Sequence, residues 1–389
     1  MSTEKRPFVA MIKPVGSRCN MHCAYCYYLD KGKYSAHKKQ SRMSRGLLEE
    51  LIQKTVEASS GPVVSFVWHG GEPTLAGIEF YEKAVELQKK YLPEGWQAWN
   101  NLQTNGLLIN KKWCSFLKEN GFDVGLSIDG SETVHDANRR DLGGKSTFAK
   151  VKSAAELLKA AGIMPDILCT VNKATLQDVP GVFEALEALD CPWVQFIPIV
   201  VRLPDGSFAP ESITPEEYGE FLTEMFDLWI RRGLGKFDIQ IFAEMARIMA
   251  GGQASVCWMA PECGRAPIIE EDGSVYACDH FVDPAHRIGN LSEHALSELL
   301  DCPEQEAFGK SKKEGLTVHC KRCPWYKFCG GGCPKDRFAL SPEGEEGHYY
   351  LCAGLEKLFA HAVPILEKIM EMSRKRMSSK QIMESLKLE

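Results

Sequence analysis

No stretch of the sequence reaches the roughly 18 consecutive apolar residues that a membrane-spanning helix needs. The start, Met1 to Pro7, is polar and basic, with no apolar run behind it to serve as a secretion signal. A cytoplasmic protein without membrane contact is therefore expected. Positive charge is not in excess either: 46 Lys and Arg against 52 Asp and Glu leave a net charge of -6, which gives no general attraction to nucleic acid or acidic lipid. Internal repeats and low-complexity segments are lacking as well. What remains, 389 residues with 44% hydrophobic and 25% charged side chains, suits a barrel-sized domain and a smaller one.

Cysteine, by contrast, is plentiful. Disulfide scaffolds belong to short secreted chains, whereas fifteen cysteines, an odd number, in a long chain without a signal point to metal or cluster ligation.

Through residue 203, short β-type runs alternate with amphipathic segments. Runs at 9–15, 63–69, 96–104, 124–128, 167–171 and 194–200 read as strands, and 46–58, 80–91, 147–161 and 176–188 carry apolar residues at helical spacing. Repeated βα units imply an α/β fold of parallel strands covered by helices. Such a sheet closes as a full or partial barrel, with ligands at the carboxyl ends of its strands. A Pro/Gly/Ser stretch at 204–215 then leads into helical runs at 216–232 and 243–249. Eight of the fifteen cysteines fall between Cys257 and Cys333, and Cys352 follows. Three segments are expected: a barrel over 1–235, a cysteine-rich domain over 236–355, and a helical tail over 356–389 whose Arg374-Lys375-Arg376 run is a solvated face.

The run Cys19-Asn20-Met21-His22-Cys23-Ala24-Tyr25-Cys26 follows the first expected strand, so three thiolates converge on one loop. Three protein ligands leave one iron of a 4Fe–4S cluster open to chelate a small molecule's amine and carboxylate, as open positions mark catalytic metal sites. Spacing alone also permits a zinc knuckle completed by a residue such as His22. After the second strand comes Gly70-Gly71-Glu72-Pro73. In isolation this is a turn, but its glycines let backbone approach a ligand closely and its acid suits an ammonium.

Together these motifs resemble the radical S-adenosylmethionine (SAM) superfamily, whose CxxxCxxC signature is matched by Cys19, Cys23 and Cys26. The family's GGEP motif, matched by Gly70, Gly71, Glu72 and Pro73, meets the methionine amino group of SAM. The resemblance implies a partial (β/α)6 barrel of the TIM type. It also implies that Tyr25 and Ser127 contact the nucleoside, that Arg139 holds the carboxylate, and that Val194 lines the adenine. Taken singly, each of these four is more often a packing or surface residue.

In the second domain, Cys263 and Cys278 flank Gly273, and Cys320, Cys323, Cys329 and Cys333 follow before Cys352. This resembles the SPASM extension of radical enzymes that modify peptides. With Cys257 the eight cysteines make two complete four-cysteine sites. By the family's crossed arrangement Cys257, Cys263, Cys278 and Cys333 hold a nearer auxiliary 4Fe–4S cluster, and Cys320, Cys323, Cys329 and Cys352 a farther one. Fully ligated iron has no vacancy for substrate and can only pass electrons. The Cys-x2-Cys spacing alone would also allow two structural zinc sites. Cys114, Cys169, Cys191 and Cys302 remain as ordinary thiols.

A closer resemblance covers nearly the whole chain. Lys13-Pro14, residues 19–28, Trp68-His69-Gly70-Gly71-Glu72-Pro73-Thr74, Leu102-Gln103-Thr104-Asn105-Gly106, residues 125–130, Gln195-Phe196-Ile197-Pro198, residues 276–281 and Gly289-Asn290-Leu291 are similar to the anaerobic sulfatase-maturating enzymes. That family converts a cysteine or serine of a sulfatase to Cα-formylglycine. A 5′-deoxyadenosyl radical takes hydrogen from Cβ, and one electron and one proton then leave. Three 4Fe–4S clusters, SAM, a sulfatase polypeptide and a flavodoxin or ferredoxin donor are implied. The resemblance makes Asp279, directly after Cys278, the candidate base; an anionic cluster close to a carboxylate can raise its pKa, which would help it accept a proton. Composition alone makes such an Asp a turn former, and His280 is a lesser candidate. Two other readings are a SPASM enzyme that forms thioether or carbon–carbon crosslinks in a short peptide, and a non-catalytic zinc or iron–sulfur scaffold. The eighteen residues before Cys19 leave no room for the extra recognition domain that many crosslinking enzymes carry.

Overall fold

The computed structural model describes residues 5–34 and 42–386. Residues 1–4 of the basic start and 387–389 of the expected tail lie outside the described residues. Contacts divide the chain into two compact units. One comprises Met1–Ser127, Arg139–Pro165 and Gly264–Gly309; the other Ile128–Asn138, Asp166–Cys263 and Lys310–Glu389.

In the first unit, β1 (Ala10–Ile12), β2 (Val63–Trp68), β3 (Gln97–Thr104) and β4 (Phe122–Ser127) pair in sequence order, all parallel. Parallel neighbours need crossover connections. Three helices supply them: α1 (Arg45–Ala58), α2 (Ile78–Tyr91) and α3 (Lys111–Glu119). Each starts where the sequence supplies a stop. Ser44 caps α1 by accepting from the Leu47 amide, and Asn110 caps α3 by accepting from Lys112 and Trp113. Alternation decides which face is buried: Val64, Phe66 and Trp68 of β2 are fully buried, while Ser65 and Val67 between them are only half-buried. Buried polar groups in this layer are paired: Asn100 of β3 exchanges hydrogen bonds with Gln88 of α2 and accepts from Trp68 Nε1 at 2.9 Å.

The expected first strand at 9–15 is shorter than read. Pro14 has no amide to donate, and the chain turns there through a Gly16 N–H to Lys13 carbonyl bond. On the other edge of β1 lies β8 (Ile268–Ile269), parallel to it, followed by antiparallel β9 (Ser274–Tyr276) and β10 (Arg287–Asn290). Residues 264–309, read from sequence within the cysteine-rich segment, thus extend the sheet that begins with β1.

The second unit contains three parallel strands: β5 (Asp166–Val171), β6 (Trp193–Pro198) and β7 (Asp238–Ile239), in that order. Within this unit, α4 (Glu132–Asn138) comes before β5. Further on, α5 (Val179–Leu189) links β5 to β6, and α6 (Pro215–Leu228) opens with a capping box of Thr214 and Glu217. A long helix, Cys352–Arg374, crosses α6 where Gly354 meets Gly219. A Cβ on Gly354 would lie 2.2 Å from the Pro215 carbonyl oxygen. A short hairpin of β11 (Arg337–Ala339) and β12 (His348–Tyr349) sits in the cysteine-rich part. The fold class is α/β with mostly parallel strands. No helix among the described residues is long and apolar enough to cross a membrane.

Candidate active site

The loop carrying Cys19, Cys23 and Cys26 leaves the carboxyl end of β1, so all three thiols occupy one turn-rich segment, with the Cys26 amide donating to the Cys23 carbonyl at 3.1 Å. Donors already face the first sulfur: the Met21 amide at 3.4 Å and Asn105 Nδ2 at 3.6 Å from Cys19 Sγ. Asn105 also holds Asn20 Oδ1 at 2.7 Å. Burial, with Glu72 and the other two cysteines adding negative potential, pushes the Cys19 thiol up to about 12. The three thiols are half-buried on one loop, and a bound cation favours the thiolate form that ligation requires.

The glycines at 70 and 71 pack closely on the protein's own backbone. A Cβ on Gly71 would lie 2.1 Å from the Arg18 carbonyl oxygen, so what this glycine admits is the cysteine loop's own backbone. The Gly71 and Glu72 amides donate to the carbonyls of Gly16 and Arg18, each at 2.8 Å. Gly71→Ala is therefore expected to lower the unfolding midpoint, at a cost of about 1–3 kcal/mol of overpacking, checked by anaerobic thermal unfolding. The Glu72 carboxylate is also engaged within the protein. It is buried and accepts from Thr74 N, Thr74 Oγ1, Thr104 Oγ1 and Asn105 N at 2.5–3.0 Å. Burial raises its pKa against the pull of these donors. It ties the ends of β2 and β3 together.

Tyr25 and Arg139 are brought together, the guanidinium 5.5 Å from the ring centroid. Both are buried. Ser127, at the end of β4, accepts from Gln103 Nε2 of neighbouring β3 at 3.1 Å. Val194 is buried on β6 in the second unit.

Asp279 lies just past β9, its side chain 14% exposed. One carboxylate oxygen is paired with Lys13 Nζ at 2.5 Å, and the other accepts from the Tyr27 hydroxyl. Burial alone would raise this carboxyl, but Lys13, aided by His69 and His280, holds it well below the usual carboxylate range. This buried ammonium was not assigned from the sequence. His69 contributes little charge near neutrality, because burial and Lys13 lower it to about 3. His280 lies beside the Tyr27 ring, 5.1 Å between centroids.

Among the remaining cysteines, Cys278 belongs to the first unit, and Cys257, Cys263 and Cys333 to the second. In the second unit buried Lys312 donates to the carbonyls of Cys257 and Trp258 at 2.8 and 2.9 Å, and to that of Ala260. Gly330 packs its left-handed turn on the same segment, where a Cβ would lie 2.4 Å from the Ala260 oxygen. Lys312→Met would leave three carbonyls without this donor. A loss of about 3 kcal/mol is expected, read as a lower unfolding midpoint.

Cys320, Cys323, Cys329 and Cys352 line one cavity with Trp325, Tyr326, Tyr349 and Phe359. The Cys-x2-Cys spacing alone also permits zinc, and His319, His348 and Cys352 bring ligand atoms within 4.8 Å of one another. Four cysteines on one cavity nonetheless match the donor set of a fully ligated cluster. The open three-cysteine loop and this closed four-cysteine cavity therefore fit 4Fe–4S clusters of different kinds.

Comparison with known families matches residues 14–186 to the Radical SAM superfamily and residues 247–324 to SPASM, an iron–sulfur cluster-binding domain. The chain is thus a radical SAM enzyme with a SPASM domain. Its cofactors are a 4Fe–4S cluster that works with SAM, and auxiliary 4Fe–4S clusters. It is 38% identical to a serine-type anaerobic sulfatase-maturating enzyme of Bacteroides thetaiotaomicron, over 98% of this chain and 96% of that one. It is 36% identical to a cysteine-type enzyme of Clostridium perfringens strain 13, over 92% and 97%. A solved structure of native anSMEcpe with bound AdoMet and the Cp18Cys peptide superposes with a TM-score of 0.84 at 34% identity, covering 93% of this chain and 99% of that one. The chain belongs to the anaerobic sulfatase-maturating enzymes.

Proposed function

We propose that this enzyme oxidises Cβ of a cysteine or serine in a sulfatase to give Cα-formylglycine, with Asp279 as the base. The observation that supports the reading is the Asp279 carboxylate, held at one oxygen by Lys13 and at the other by the Tyr27 hydroxyl, directly after Cys278. Cys19, Cys23 and Cys26 would hold the SAM cluster. Tyr25, Gly70, Gly71, Glu72, Ser127, Arg139 and Val194 would hold SAM. Because Glu72 is engaged by protein donors, main-chain atoms of 70–72 would meet the methionine amino group. Cys257, Cys263, Cys278 and Cys333 would form the nearer auxiliary site, and Cys320, Cys323, Cys329 and Cys352 the farther one. In this reading a radical domain extends to about residue 235 and the SPASM domain to about 355. The enzyme works in the cytoplasm, with a flavodoxin or ferredoxin as reductant.

When bound, SAM and its cluster supply the 5′-deoxyadenosyl radical that takes a hydrogen atom from Cβ, and an auxiliary cluster accepts the electron the substrate gives up. Asp279 takes the thiol or hydroxyl proton. Loss of hydrogen atom, proton and electron is a two-electron oxidation: serine yields the aldehyde directly, and cysteine a thioaldehyde that water converts to the aldehyde with release of hydrogen sulfide. What supports Asp279 in this role is its position, held between Lys13 and Tyr27 directly after Cys278.

Relatives of both serine and cysteine type match at similar identity, so identity does not choose the client. Anaerobic incubation of the reconstituted enzyme with SAM, reductant and sulfatase-motif peptides in Cys and Ser versions tests the reading. A product that a hydrazine captures as an aldehyde is expected. Peptides crosslinked without an aldehyde would replace this reading with the crosslinking one.

A further inference from the structure

The Lys13 side chain is completely buried, at the end of β1. Its Nζ is 2.5 Å from Asp279 Oδ1, 3.1 Å from His69 Nδ1 and 4.3 Å from the centroid of the Tyr28 ring. An ammonium has three protons, and three partners surround this one. The Tyr28 hydroxyl in turn donates to Glu270. Backbone bonds fix the geometry from both sides. The Lys13 amide donates to the Ile269 carbonyl on β8 at 2.8 Å, and the His69 amide to the Ile12 carbonyl at 2.8 Å. A Cβ on Gly70 would press on Lys13 Cδ at 3.3 Å, so the glycine turn also bounds the lysine stem.

We propose that Lys13 is the positioning residue of the active site, a single buried ammonium that orients the Asp279 carboxylate and fixes the tautomer of His69. This rests on the reading of Asp279 as the base. The tautomer follows from the donors. His69 Nδ1 receives the Gly70 amide at 2.7 Å and faces the Lys13 ammonium, so it is an acceptor and the ring proton sits on Nε2. Asp279 is held by Lys13 on one oxygen and by Tyr27, itself 42% exposed, on the other. Without Lys13 the carboxylate keeps only the anchor from a side chain that reaches solvent. Preorganisation of this kind shows in turnover more than in substrate binding.

The test compares Lys13→Met, Lys13→Arg and Asp279→Asn in the reconstituted holoenzyme. Iron content, 5′-deoxyadenosine and formylglycine are measured together. Lys13→Met is expected to keep its iron and its 5′-deoxyadenosine formation, while formylglycine per 5′-deoxyadenosine falls about a hundredfold and peptide KM changes little. If Lys13→Met does not fold, Lys13→Arg decides. A guanidinium spreads its donors over a planar fork and cannot gather three partners on one nitrogen, so a fall in the same ratio of about tenfold is expected with iron retained. Full coupling in the folded variants would overturn the proposal, as would parallel loss of iron and both products, which marks a merely structural lysine. An unimpaired Asp279→Asn would instead remove the base reading itself. An uncoupled Asp279→Asn beside a coupled Lys13→Met would remove only the role of Lys13.

Discussion

Asp279→Asn is expected to lower formylglycine formation by about two to four orders of magnitude, the usual contribution of a positioned general base, while 5′-deoxyadenosine is still produced. The substitution is isosteric and leaves Tyr27 an oxygen to donate to. What it removes is the acceptor for the substrate proton and the counter-charge of Lys13. Breaking a buried pair from one side costs about 3–5 kcal/mol, so the variant should also unfold at lower temperature. Iron content separates the two effects. Retained iron and 5′-deoxyadenosine with little aldehyde assigns the loss to proton transfer. Full aldehyde yield would take Asp279 out of the chemistry.

Replacing Cys19, Cys23 and Cys26 together with alanine should have the largest effect of all: neither 5′-deoxyadenosine nor formylglycine forms. These thiols share one loop, and Cys23 and Cys26 add negative potential at Cys19. In the proposed reading they hold the cluster that works with SAM, and ligation draws them into the thiolate form. The auxiliary cysteines are untouched, so iron should fall by one 4Fe–4S complement and the spectrum of the others persist. Continued 5′-deoxyadenosine production would show that SAM is cleaved elsewhere. Complete loss of iron would show that the three-cysteine loop supports the whole fold.

Strands β2, β4, β5 and β6 were legible in the sequence because each is five or more residues of largely apolar character, and α1, α2 and α5 because their buried faces recur at helical spacing. β8, β9 and β10 were not. Two to four residues carry no periodicity, and their place beside β1 is a long-range pairing that local pattern cannot encode. Cysteine spacing pointed to the clusters, since thiols at x3 and x2 intervals have few other uses. Lys13 left one faint signal, a charged residue directly after a short apolar strand, which becomes meaningful only when Asp279, 266 positions later, is seen against it. Glu72 is the reverse case: the motif stands out in the sequence, while the bracing of two strand ends by its carboxylate depends on Thr104 and Asn105 arriving from β3.

The most direct test is isotopic. Sulfatase-motif peptides carrying deuterium at Cβ of the target cysteine or serine are turned over anaerobically with SAM, and 5′-deoxyadenosine and peptide are weighed by mass spectrometry. Deuterium should appear in 5′-deoxyadenosine in step with aldehyde at the target residue. Deuterium-free 5′-deoxyadenosine, or a peptide that keeps both Cβ deuterons, would contradict formylglycine synthesis by this enzyme.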